Sequence, residues 1–150
     1  LGVTWVLKCV SSWRLLTGGK MFEAITENIK VIVETRFIDD QSDPDEGYYV
    51  WAYRITIVNL GDETVQLLAR HWKITDALGR LKEVKGDGVV GKQPTLLPGA
   101  DYTYSSGTPL TTSSGFMTGR YLMRTASGRD FDVEIPPFSL VSPFAKTALH

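Results

Sequence analysis

The feature that most constrains this chain is a side-chain period of two, which recurs in most segments from Asn28 onward. Ile29, Val31, Val33, Thr35 and Phe37 alternate with Lys30, Ile32, Glu34 and Arg36, the pattern of a strand with one apolar face. After the polar loop Gln41–Gly47, the run YYVWAYRITIVNL is dense in the aromatic and β-branched residues that strands prefer. In it Tyr49, Trp51, Tyr53, Ile55 and Ile57 share one face. TVQLLARHWKITD and RLKEVKG, joined by the turn ALGR, read as one hairpin, and GRYLMRT and RDFDVEI as another. Pro136 and Pro137 are expected to end the last strand, because proline cannot donate to a ladder. No long apolar run of period 3.6 competes with these strands.

Roughly seven short strands with a turn signal every ~8–12 residues imply an all-β, antiparallel sandwich or barrel. The segment LLPGADY favours the sandwich. It sets Tyr102 after a Leu-x-Pro-Gly turn at the start of a strand, where immunoglobulin- and fibronectin-like folds carry a tyrosine whose hydroxyl bonds back to the upstream backbone. Cys9 is the one cysteine, so no inter-sheet disulfide exists. The expected class is therefore an immunoglobulin/fibronectin type III-like antiparallel β-sandwich, nearer the fibronectin variant. The 150 residues fit one domain. A net charge of -1 points to neither nucleic acid nor an anionic membrane surface.

The first twenty residues differ. They hold Lys8, Arg14 and Lys20 and no acid, and their apolar stretch is too interrupted to span a membrane. Residues 1–20 are expected to be a disordered extension, with Met21 as the start of a domain over 21–150.

Within EVKGDGVVGKQPTLLPG, Gly86, Gly88 and Gly91 spell G-x-G-x-x-G. A dinucleotide turn needs a strand before this motif and a helix after it. The strand is present, but Pro94 and Pro98 prevent several helical turns. The helix N-terminus that would hold pyrophosphate is absent. Two alternatives are left: glycines supplying positive φ to a turn between strands, or a backbone nest for an anion, formed by Gly86, Gly88 and Gly91 with Lys85 and Lys92 alongside.

Other candidates for chemistry are sparse. Two histidines, His71 and His150, and no metal-binding motif leave no expected metal site. Ser105, Ser106, Ser113 and Ser114 read as a polar loop without a nucleophile elbow. Asp39, Asp40, Asp43, Asp45 and Glu46 read as a solvated acidic loop, since the calcium-loop pattern is missing. Tyr48 falls off the aromatic face of its strand and, with Arg70 and His71, is a candidate for contact with a partner.

The stretch Tyr49–Leu110, with R-H-W, G-x-G-x-x-G, L-x-P-G and S-G-x-P-L in that order, closely resembles the ApaG family, also called CorD. So do MFEAITENIKV and SSGFMTGRYLMRTASGRDFDVEIPPFSL. The resemblance implies a small bacterial cytoplasmic protein linked to cobalt resistance and magnesium efflux, often encoded beside a diadenosine-tetraphosphate hydrolase. It also implies a domain reused for protein contacts in F-box proteins and a polymerase-delta-interacting protein. Many relatives carry SGCPL where this chain has Thr108, which excludes a cysteine-based role there. The expected function is a non-enzymatic module, without cofactor, that binds an unidentified protein partner. The alternative is a phosphate, pyrophosphate or diadenosine-polyphosphate sensor at the glycine loop 86–92. Neither nucleic acid nor membrane is an expected partner, and the expected state is a monomer or weak homodimer.

Overall fold

The computed structural model describes residues 19–145, and most of the expected extension over 1–20, with Cys9 and His150, lies outside them. Nine strands follow in chain order: β1 (Lys20–Thr26), β2 (Ile29–Phe37), β3 (Tyr49–Asn59), β4 (Val65–Asp76), β5 (Leu81–Asp87), β6 (Thr95–Leu96), β7 (Asp101–Leu110), β8 (Ser114–Thr125) and β9 (Asp130–Val141). They form two antiparallel sheets, one ordered β1-β2-β3-β7 and one ordered β5-β4-β8-β9 with β6 also paired to β4. The sheets pack face to face as a fibronectin-like sandwich.

The alternation in the sequence explains which residues meet between them. Ile29, Val31 and Val33 of β2, with Trp51, Tyr53, Ile55 and Ile57 of β3, are buried against Leu67 and Trp72 of β4 and the inner faces of β8 and β9. Trp72 and Phe138 meet edge-on at 5.9 Å, and Tyr53 lies 5.5 Å from Trp72 and 6.0 Å from Phe138. Burying each such large side chain stabilises the fold by about 1.5–3 kcal/mol, so these rings bind the two sheets at mid-height. Asn59, 1% exposed, donates to the carbonyls of Glu63 (2.9 Å) and Leu96 (3.0 Å), fixing one end of the sandwich.

Three expectations are corrected. β9 does not stop at Pro136 and Pro137 but runs through them to Val141. The two prolines fall where the β8–β9 register shifts between Met117 and Gly119, and a bulge on an outer strand needs no donor there. The serine-rich stretch is not a loop up to Ser114: β7 extends to Leu110, and Ser106 is buried in it. A strand also precedes Asn28. β1 joins β2 through Glu27 (φ 46°) and Asn28 (φ 65°), and two left-handed central residues suit a two-residue hairpin turn.

Candidate functional site

β4 carries Arg70 and His71 as neighbours, so their side chains leave opposite faces of the sheet. Arg70 serves the glycine segment. It stands opposite Gly86 in β5, where a Cβ would come within 3.0 Å of both terminal guanidinium nitrogens. The missing side chain makes room for the Arg70 fork, whose Nη1 donates to the carbonyls of Asp87 (3.0 Å) and Gly88 (2.9 Å). Arg70 has no carboxylate partner among the described residues.

Beyond Gly88 the chain forms a tight hairpin. The Val89 and Lys92 backbones exchange hydrogen bonds of 2.7 and 2.9 Å, and Gly88 N–H donates to Leu68 O at 2.8 Å. Gly88 has φ 62°, and a Cβ there would lie on the Lys92 carbonyl. At the tip, Val90 and Gly91 take φ 46° and 76°, the turn type already seen at Glu27–Asn28. For a β-branched residue such as Val90 this backbone costs about 1–2 kcal/mol. Val89 is fully buried and joins the main core. The hairpin is thus a plug between the sheets. The Gly88 and Val89 amides are committed to carbonyls, and the Val90 and Gly91 amides at the tip have no acceptor among the described residues.

Under the hairpin lies a group of residues that the sequence analysis did not bring together. Tyr53, Tyr104 and Tyr121 are buried, and the Tyr104 and Tyr121 hydroxyls are 2.5 Å apart. Burial pushes all three phenols above the ordinary tyrosine range, while the Arg70 charge pulls in the opposite direction. A cavity of about 70 Å³ remains between Tyr53, Arg70, Trp72, Val90, Tyr104 and Ser106.

The outer face of the same sheet is different. Lys85, His71 and Arg120 stand side by side across β5, β4 and β8. His71 Nε2 is 2.7 Å from Glu83 Oε2, and this contact holds the Glu83 carboxyl below its usual range. Lys85 and Arg120 form no ion pair among the described residues. With Ala69, Leu122, Asp87 and Asp132 they line an open groove of about 480 Å³, which Arg70 and Gly86 also border. Arg120 and Asp132 were missed because their relation to His71 exists only through strand register.

The remaining sequence candidates fall elsewhere. Tyr48 is half-buried rather than exposed, its backbone paired with Asp43 in the first sheet's loops, so it shares no site with Arg70 or His71. Lys85 lines the outer groove, whereas Lys92 closes the hairpin through its backbone. Tyr102 packs on the core, its ring 6.4 Å from that of Tyr104. Its hydroxyl makes no hydrogen bond among the described residues, so its contribution here is packing rather than the expected corner bond. Among those residues no group of three or more His, Cys, Asp or Glu side chains is placed to hold a metal ion, and no helix is long and apolar enough to cross a membrane.

Comparison with known proteins agrees on one family. The ApaG domain profile matches residues 39–125. The chain is 57% identical over 130 residues to Protein ApaG of Parvibaculum lavamentivorans, covering 87% of this chain and 100% of that one. It is 55% identical, with the same coverage, to Protein ApaG of Bradyrhizobium diazoefficiens. In three dimensions it resembles the crystal structure of a Bordetella pertussis protein assigned as ApaA, with TM-score 0.76 and 44% identity over 78% of this chain and 95% of that one.

Proposed function

The chain belongs to the ApaG domain family, and on that premise we propose that it is a non-enzymatic module that binds another protein on the outer face of the five-stranded sheet. The observation that carries this is the groove of about 480 Å³ whose basic row, Lys85, His71 and Arg120, adjoins the acids Asp87 and Asp132 over a floor of Ala69 and Leu122. An apolar floor flanked by Lys85, Arg120, Asp87 and Asp132, none of them in an ion pair among the described residues, suits a protein surface of complementary charge. Rim charges of this kind fix orientation and speed encounter more than they add affinity. The family's implied links to cobalt, magnesium and diadenosine polyphosphates would then act through the bound partner.

The test is affinity capture from a bacterial lysate with the wild-type chain and the Lys85→Glu/Arg120→Glu variant in parallel, thermal unfolding confirming that both are folded. The expected outcome is a stoichiometric partner held by the wild type and lost by the variant. The same partner on both, or none on either, would count against the proposal.

A second possibility rests on the Val90 and Gly91 amides at the hairpin tip, which have no acceptor among the described residues and have Lys92 adjacent. These amides would meet a phosphate of pyrophosphate or a diadenosine polyphosphate from the solvent side. Titration with pyrophosphate should then shift the Val90 and Gly91 amide resonances. Silence at millimolar ligand would end this possibility.

A further inference from the structure

We infer that the cavity beneath the glycine hairpin is a binding site for one compact oxyanion, a phosphate or carboxylate group, held by the Arg70 guanidinium with the Tyr53 and Ser106 hydroxyls as neutral donors. Arg70 borders both this cavity and the outer groove, whereas Tyr53, Trp72, Val90, Tyr104 and Ser106 belong to the cavity and not to the groove.

Three observations converge on it. The first is an uncompensated charge. Arg70 is half-buried on the sandwich's open side and uses Nη1 on the Asp87 and Gly88 carbonyls. Its Nε and Nη2 have no acceptor among the described residues, and no carboxylate neutralises it. A guanidinium presents five donors in a rigid fork that matches an oxyanion edge. A bound anion supplies the missing partner.

The second is the lining. Tyr53, Tyr104 and Ser106, which carry hydroxyls, line the cavity with Trp72 and Val90, and the Tyr53 and Ser106 hydroxyls interact with each other. Burial holds the three phenols neutral and so able to donate, and Arg70 is the cation that acts on all three. A guanidinium and hydroxyl groups beside apolar walls offer an oxyanion charge-assisted hydrogen bonds in surroundings less polar than water.

The third is size and access. A cavity of about 70 Å³ is several times the ~10–15 Å³ that one water requires, which admits a phosphate or carboxylate group and excludes a nucleoside. Val90 forms one wall, is 42% exposed and holds the left-handed backbone at φ 46°. The residue that lines the cavity next to solvent is therefore also the one under backbone strain.

The experiment is an NMR titration of the full chain with sodium phosphate and, separately, sodium acetate, at matched ionic strength against sodium chloride. It reads the Arg70 Nε–H and the Trp72 indole N–H. Both should shift in a saturable way with at least one of the two anions, the stronger identifying the oxyanion preferred. Arg70→Lys keeps the charge and loses the fork, so it should weaken binding by about tenfold or more. Should that variant unfold, Ser106→Ala, which leaves the Arg70 contacts to the hairpin intact, should weaken binding by a few-fold for one neutral hydrogen bond. No saturable shift with either anion, or binding unchanged in the folded variants, would overturn the inference.

Discussion

The two long sides of the sandwich are closed in opposite ways. Along one side β1 and β9 approach each other. Phe22 packs 6.0 Å from Phe138, and Glu134 N–H donates to the Thr26 hydroxyl at 3.2 Å. Along the other side β7 and β5 remain apart, and the gap is filled by the Gly88–Lys92 hairpin, with Val89 as a plug and Arg70 as a clamp. The first closure is mostly apolar. The second holds an unneutralised cation, three buried phenols, a cavity and a strained valine. Burial alone secures the first seam, whereas the second sets polar groups beside a cavity and a strained backbone, features that gather where something binds or moves.

The largest effect belongs to the glycines that shape the plug. Gly88→Ala should destabilise by about 2–4 kcal/mol, since it adds backbone strain and a clash with the Lys92 carbonyl. Gly91→Ala, with φ 76° but open space around it, should cost only about 1 kcal/mol. Urea unfolding of the two variants side by side gives the comparison. Equal losses would mean that the hairpin is not packed as described.

Val89→Ala should cost about 2 kcal/mol, the transfer free energy of two buried methylene-sized groups with part of the cavity they leave. The loss should appear at unchanged m-value, and a negligible loss would mean that Val89 is no plug.

Alkaline pH should act on the phenol side. The folded pKa values of Tyr53, Tyr104 and Tyr121 are raised by burial. Their contribution to stability is therefore complete below the unfolded tyrosine value near ~10 and is lost as pH rises above it, where only the unfolded chain ionises readily. Circular dichroism against pH should show unfolding that coincides with tyrosinate absorbance. Tyrosinate appearing near pH 10 with the fold intact would contradict the burial of this cluster.

The smallest effect carries the opposite sign. Val90→Asn should stabilise by up to about 1 kcal/mol, because asparagine accepts the left-handed backbone that a β-branched residue resists. A destabilisation would show that Val90 contributes more as a cavity wall than it costs as strain.

The contrast between the two sides also marks what the sequence could express. Alternation in Ile29–Phe37 and Tyr49–Asn59 named the inner faces correctly, because a half-buried strand writes its burial into every second residue. The prolines at 136 and 137 misled, since the bulge that accommodates them depends on β8. The first strand was missed because its turn, Glu27–Asn28, holds left-handed backbone without a glycine. The glycine motif was legible as something other than a dinucleotide turn from Pro94 and Pro98 alone. Its positive role was not legible. Arg70 over Gly86 is a register contact, and Tyr53, Tyr104 and Tyr121 converge from three strands in two sheets. The outer groove is likewise a product of register, with His71 opposite both Lys85 and Arg120.

The most direct measurement is native-state hydrogen exchange across the two sides. The Gly88 and Val89 amides, bonded to Leu68 and Lys92, should exchange through a local opening at a free energy well below that of global unfolding, while β9 amides paired with β8 should exchange only with the global transition. Exchange of Gly88 and Val89 at the global free energy, or less protection in β9 than in the hairpin, would contradict the division into a sealed side and an opening one.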